Sequence, residues 1–232
     1  MVRRATDGVD GSLTVGDRPG PLTSGRMPAD VSPLSTSVWN DAVNRRAHTS
    51  SVGGRRANRR SVIDGRIVLR TERLLLTPLT RLDEAEHASA SGRPADALRD
   101  TGAAEVQWRE CGFGPWAIRD LREERFLGCA ELRLAGDGID GIEPDEVEAG
   151  WWVAEERRNH GIATEAMHAA IGDLWSRAET DCITAYIDEG ENQASRRVAA
   201  KLGFAVRGQG HGRSGEPMTV YELRRDAWQS GG

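Results

Sequence analysis

The chain has 232 residues, 38% of them hydrophobic, and a formal net charge of −5, which suits one ordinary domain with material to spare. It holds no run of about 18 apolar residues, so a membrane span is excluded. Residues 1–60 carry 10 Arg against 5 Asp with neither Glu nor Lys, leaving a balance of −10 on the rest of the chain. An acidic body behind a basic tail is not the pattern of a dedicated nucleic-acid binder.

Residues 1–60 are rich in Gly, Pro, Ser and Arg, and no period of 2 or 3.6 persists through them. They are expected to be a disordered tail, with residues 61–232 forming the folded domain. The pairs Arg45-Arg46, Arg55-Arg56 and Arg59-Arg60 could steer toward RNA by charge, but no aromatic side chain is interleaved to stack on bases. No nucleic-acid partner is expected. Only Lys201 among the 31 basic residues is lysine, an arginine usage that points to a GC-rich bacterial genome. The N-terminus lacks a continuous apolar segment, so no secretory leader is expected. Cys111, Cys129 and Cys182 are odd in number and form no CxxC pair, which reads as reduced thiols in a cytoplasmic protein with no metal site.

Structure is expected from Ile67. The runs Ile67–Leu69 and Leu74–Leu79, around the polar Thr71-Glu72-Arg73 turn, read as a first strand. Residues 81–111 read as one or two short helices, with Gly92-Arg93-Pro94 as a breaker. Trp116–Arg119 and Phe126–Leu134 form a hairpin, a Gly/Asp loop covers 136–146, and Val147–Ala154 is the next strand. Then the period changes. Ala163, Ala166, Met167, Ala170, Ile171, Leu174 and Trp175 make a single apolar helical stripe. Ile183–Ile187 is a strand. Asn192 caps another helix with Ala194, Val198 and Leu202 inside and Gly203 at its end. Ala205-Val206 and Met218–Leu223 close the chain as a hairpin. The order implies an α+β domain around one mixed sheet.

The stretch from Glu148 to Thr164 carries the chemistry. A strand runs through a short turn into a helix N-terminus, where free backbone N–H groups and the helix dipole favour an anion. Gly161 admits a phosphate close to the backbone, Ala163 is too small to block it, and Arg158 adds a charge. This suits a pyrophosphate without a metal. The Rossmann and Walker glycine patterns are absent.

Arg158-x-x-Gly161-x-Ala163 resembles the Q/R-x-x-G-x-G/A acetyl-CoA motif of the GNAT superfamily of N-acetyltransferases. Gly150-Trp151-Trp152-Val153-Ala154, Thr164-Glu165-Ala166 and Asn192-x-x-Ser195 with Lys201-Leu202-Gly203-Phe204 resemble the branch of ribosomal-protein N-terminal (alanine/serine) acetyltransferases. So does the opening Leu69–Leu76, and the likeness spans roughly residues 66–225. It implies a single GNAT-like domain with a mixed, mostly antiparallel sheet and helices on both faces. It implies acetyl-CoA as cosubstrate and a primary amine, a protein N-terminus or a small amine, as acceptor. The alternative is a non-catalytic acyl-CoA-binding regulatory domain of the same fold, in either case a monomer or homodimer. Trp152 and Val153 would pair with the pantetheine arm. The amides of Arg158, Asn159, His160, Gly161, Ile162, Ala163 and Thr164 would hold the pyrophosphate. Asn192 would bond the pantetheine or simply cap its helix.

Two departures from the family pattern matter. The tyrosine that many members use as general acid, seven residues after the Asn, is Ala199 here, which leaves Ser195 as the candidate acid. The segment between the first strand and Trp116 is short for the branch, so the acceptor pocket is expected to be open or altered. The motif assigns no base; Glu148 and Glu131 are the candidate carboxylates. His160 occupies a variable loop position and is expected to face solvent, and His211 is unassigned.

Overall fold

A computed structural model describes residues 59–63, 66–188, 190, 192–212 and 214–230. The expected disordered tail falls on residues outside this set, except Arg59 and Arg60, which begin a strand instead. That strand, β1 (Arg59–Ile63), pairs antiparallel with β2 (Arg66–Arg70), which pairs with β3 (Leu74–Pro78). The expected first strand is therefore two, separated at the Thr71–Arg73 turn. A 3-10 turn at Arg81–Asp83 leads into α1 (Glu84–Ser91) and α2 (Pro94–Cys111). The expected short helices are thus one short and one of 18 residues. Pro94 starts α2 because the first helical N–H has no partner to lose. Gly92 and Gly112 end the two helices in the left-handed region, at φ 68° and 70°.

β4 (Trp116–Asp120), β5 (Phe126–Leu134) and β6 (Val147–Val153) continue the antiparallel sheet. α3 (Ile162–Arg177) then crosses over to β7 (Cys182–Asp188), which lies parallel to β6. A parallel neighbour requires such a crossover. α4 (Gln193–Leu202), β8 (Ala205–His211), β9 (Pro217–Arg224) and α5 (Arg225–Ser230) complete the chain. Among the described residues the sheet has nine strands in the order β1-β2-β3-β4-β5-β6-β7-β9-β8, and β6–β7 is its one parallel pair.

Alternation along β5, stepped by one residue at a bulge where Ile118 and Arg119 pair with Gly128 and Phe126, divides the core between the two faces. Leu127, Ala130 and Leu132 join Met167, Ala170, Ile171 and Leu174 of α3 on one face. Phe126 and Cys129 join Leu79, Ala104 and Ala117 on the other, beneath α1 and α2. Ala135, Ile139 and Ile142 of the long β5–β6 loop form a third cluster with Val220 and Tyr186. α5 was not anticipated; its Trp228 ring lies 5.5 Å from that of Trp175. Among the described residues no helix is long and apolar enough to cross a membrane.

Candidate functional site

β6 and β7 pair only at Val147–Ile183 and Glu148–Thr184. Beyond Glu148 no ladder joins them, so Trp151, Trp152 and Val153, still paired with β5, border a gap on the β7 side. Ligands of open sheets bind in such gaps at the carboxyl ends of parallel strands. β5 stays close on the other side of β6. A Cβ on Gly128 would run into the Trp152 carbonyl oxygen, so only glycine lets the strands approach this closely here.

After β6 the chain makes a 3-10 turn at Glu155–Arg157 and reaches α3 through Arg158–Gly161. Asn159 (φ 65°) and Gly161 (φ 76°) both adopt left-handed backbone, and alternation of this kind turns successive N–H groups toward one side as an anion cradle. The first helical amides, those of Ile162, Ala163 and Thr164, have no intrahelical acceptor. Arg158 Nε donates to the Val153 carbonyl at 3.2 Å, which ties the loop to the end of β6.

A cavity of about 860 Å³ fills the gap, within the usual size for a ligand site. One wall is Trp151, Trp152, Val153, Arg157, Arg158, Asn159, Gly161, Ile162, Ala163 and Thr164; the other is Asn192, Ala194, Ser195, Arg197, Val198 and Lys201. Among the described residues four cations line it and no carboxylate does.

Of the residues singled out in the sequence, Trp152, Val153, Arg158, Asn159, Gly161, Ile162, Ala163, Thr164, Asn192 and Ser195 share this cavity. His160 is exposed and its ring turns back, Nδ1 lying 2.7 Å from the Arg158 carbonyl. Asn192 caps α4, its Oδ1 accepting from the Ser195 N–H at 3.3 Å. Ala199 is fully buried in the core rather than on the cavity wall. Of the inner face expected for α4, Leu202 enters the core and Val198 packs against it, while Ala194 and Val198 also line the cavity and Ala199 joins Leu202 inside.

Glu148 stands outside the cavity, in the paired part of β6. It is buried, and its Oε1 accepts from Arg133 Nη2 at 2.7 Å. Its Oε2 has no hydrogen-bond partner among the described residues. Glu131, opposite Gly150 on β5, accepts from Arg133 Nη1 at 3.1 Å, and burial raises its carboxyl above the ordinary range against the opposing pull of Arg133. Both carboxylates lie on the Trp152 face of the sheet. There Trp152 meets the ring of His87 edge-on at 4.9 Å and that of Phe126 at 5.9 Å.

Arg157, Arg197 and Lys201 also line the cavity, a place that nothing in the sequence assigned them. Arg197 and Lys201 stand four residues apart, one helical turn, next to the Asn192 cap. That spacing was the available signal, once α4 was known to border the gap.

A sequence profile described as acetyltransferase (GNAT) domain matches residues 73–205, more than half of the chain. No curated protein sequence matches. Among solved structures, one from Bordetella pertussis assigned to the GnaT-family acetyltransferases is 24% identical and covers 67% of this chain and 98% of its own, with a TM-score of 0.59. A ribosomal-protein-S5-alanine acetyltransferase from Vibrio fischeri is 15% identical over 69% of this chain and 98% of that one, with a TM-score of 0.54. The microcin C7 self-immunity acetyltransferase MccE, solved with acetyl-CoA and AMP, is 12% identical over 66% and 93%, with a TM-score of 0.53. At these identities the likeness is one of fold.

Proposed function

Because the chain belongs to the acetyltransferase (GNAT) domain family, we propose that it transfers the acetyl group of acetyl-CoA to a primary amine, a protein N-terminus or a small amine. The observation that carries this reading is the charge of the cavity. A chain of net charge −5 sets Arg157, Arg158, Arg197 and Lys201 around one gap, with no carboxylate among the described residues that line it, as a ligand bearing several phosphates requires. The amides of Ile162, Ala163 and Thr164 bind the diphosphate with Arg158 beside them. Trp152 and Val153 line the path of the pantetheine arm to the thioester. The ribosomal-protein-S5-alanine acetyltransferase among the structural relatives supports a protein N-terminus as acceptor.

The amine must be neutral to attack the thioester carbon. Its proton leaves to water at the open cavity, since Glu148, the carboxylate expected as base, is buried against Arg133 and lies four residues before Trp152, about 13 Å at a strand rise of about 3.3 Å per residue. As the carbon–sulfur bond breaks, the Ser195 hydroxyl donates to the leaving thiolate.

Thiol release from acetyl-CoA, measured against a panel of small amines and peptides with free N-termini, tests the reading. Turnover with at least one acceptor is expected. Tight acetyl-CoA binding without turnover for any acceptor would instead favour a non-catalytic acyl-CoA sensor, a reading to which Ala199 in place of the family's tyrosine lends support.

A further inference from the structure

Thr71, Arg73 and Glu165 belong to none of the roles assigned above, yet they are bonded to the phosphate loop. Glu165 sits in the first turn of α3, where a carboxylate competes with any bound phosphate for the helix N-terminus. Its Oε1 accepts from Thr71 Oγ1 at 2.5 Å and from the Arg73 backbone N–H at 3.1 Å. Its Oε2 accepts from Arg73 Nε at 2.7 Å and Nη2 at 2.5 Å. The remaining guanidinium nitrogen, Nη1, donates to the His160 carbonyl at 3.0 Å. One side chain from the β2–β3 turn therefore neutralises the carboxylate and grips the loop.

The Arg73 side chain is about half exposed, at 52%, and an ion pair so exposed contributes little to stability. Its geometric effect is larger. A trans peptide is planar, so its C=O and N–H point in opposite directions. Arg73 draws the His160 carbonyl toward β3, which turns the Gly161 N–H the other way. Gly161 accepts φ of either sign at little cost, so the loop by itself does not hold this peptide in one orientation.

We propose that Arg73 is a positioning residue for the donor's diphosphate: its bond to the His160 carbonyl fixes the His160–Gly161 peptide with the Gly161 N–H facing the cavity, and Glu165 and Thr71 hold the guanidinium in place. This rests on the reading of the cavity as an acetyl-CoA site.

The test compares the binding of acetyl-CoA with that of S-acetylpantetheine, which ends before the diphosphate, by calorimetry on the full chain. Arg73→Ala is expected to weaken acetyl-CoA about tenfold, the loss of one hydrogen bond to a charged group, and S-acetylpantetheine less than about twofold. In turnover the loss falls on KM for acetyl-CoA rather than on kcat. Arg73→Lys keeps a charge opposite Glu165, but one ammonium cannot span both the carboxylate and the His160 carbonyl. It should melt like the parent and still bind acetyl-CoA severalfold more weakly, which carries the test if the alanine variant fails to fold. Unchanged acetyl-CoA affinity in a folded variant overturns the proposal, as does an equal loss for both ligands, the mark of a merely structural role. If the parent chain binds S-acetylpantetheine but not acetyl-CoA, or binds neither, the acetyl-CoA reading falls first and the role of Arg73 with it.

Discussion

Ser195 and Asn192 sit three residues apart at the head of α4 and separate two kinds of contribution. The Asn192 side chain takes the Ser195 backbone N–H, which leaves the Ser195 hydroxyl available to the cavity it lines. Ser195→Ala is expected to lower turnover about 10- to 100-fold, at or below the usual range for an acid–base group. Acetyl-CoA affinity should be nearly unchanged, because the hydroxyl acts on charge that develops only during the reaction. Asn192→Ala removes a helix cap, so it should cost about 1 kcal/mol of stability and weaken binding as well. Turnover, calorimetry and melting on both variants check the contrast; intact turnover in Ser195→Ala would remove Ser195 from the mechanism.

α1 docks on the sheet through His87, whose side chain is 3% exposed and whose Nε2 lies 3.9 Å from Asp100. Burial lowers its pKa, opposed by the charges of Asp100, Asp96 and Asp83. A histidine with a lowered folded pKa binds fewer protons folded than unfolded, so stability falls as pH drops below the unfolded value of about 6.5. Urea denaturation between pH 7.5 and 5.5 should show this loss, and His87→Leu should reduce it. His168, lowered by the same cause, supplies a residual slope in both proteins. α3 joins fold to site, its N-terminus in the cavity and its stripe in the core. Leu174, 1% exposed, is twelve residues from that N-terminus. Leu174→Ala should cost roughly 2–5 kcal/mol while acetyl-CoA affinity in the folded protein stays within about threefold. A large loss of affinity would mean that the core of α3 sets its N-terminus.

At the scale of the whole molecule, both ends of the described chain close on α3. Arg60 of β1 places its Nε 3.4 Å from Asp173 Oδ1, and Trp228 of α5 packs against Trp175 and His168. A chain beginning at Asn58 is expected to melt within about 2 °C of the full one. A chain beginning at Arg66, which lacks β1, should melt about 5 °C or more lower, equivalent to roughly 1–2 kcal/mol for a domain of this size. Equal melting of the two truncated chains would show that β1 adds nothing to the domain.

The elements legible in the sequence are those whose cause is local. The α3 stripe from Ala163 to Trp175, the Asn192 cap, the Gly203 end of α4 and the turn from Arg158 to Ala163 each depend on residues within a few positions of one another, the range over which helix and turn geometry acts. Even β1 has a local signal, since Asp64-Gly65 between two β-branched runs is a hairpin dipeptide, but it is set in arginine-rich sequence of the composition that marks a tail. Which face of α4 turned inward was not local: Ala194, Val198 and Leu202 fit one stripe by spacing, and only packing against α3 put Ala199 in the core. The cation set was not local either. Arg157 and Arg158 follow β6 while Arg197 and Lys201 follow β7, and they share a cavity because the two strands part after Glu148. Arg73 reaches Glu165 across 92 positions. The sequence by itself determined the helices, the phosphate-loop turn and the family likeness. Tertiary structure alone decided which charges face one ligand, because that depends on where the sheet opens, and sheet pairing is made between segments far apart in the chain.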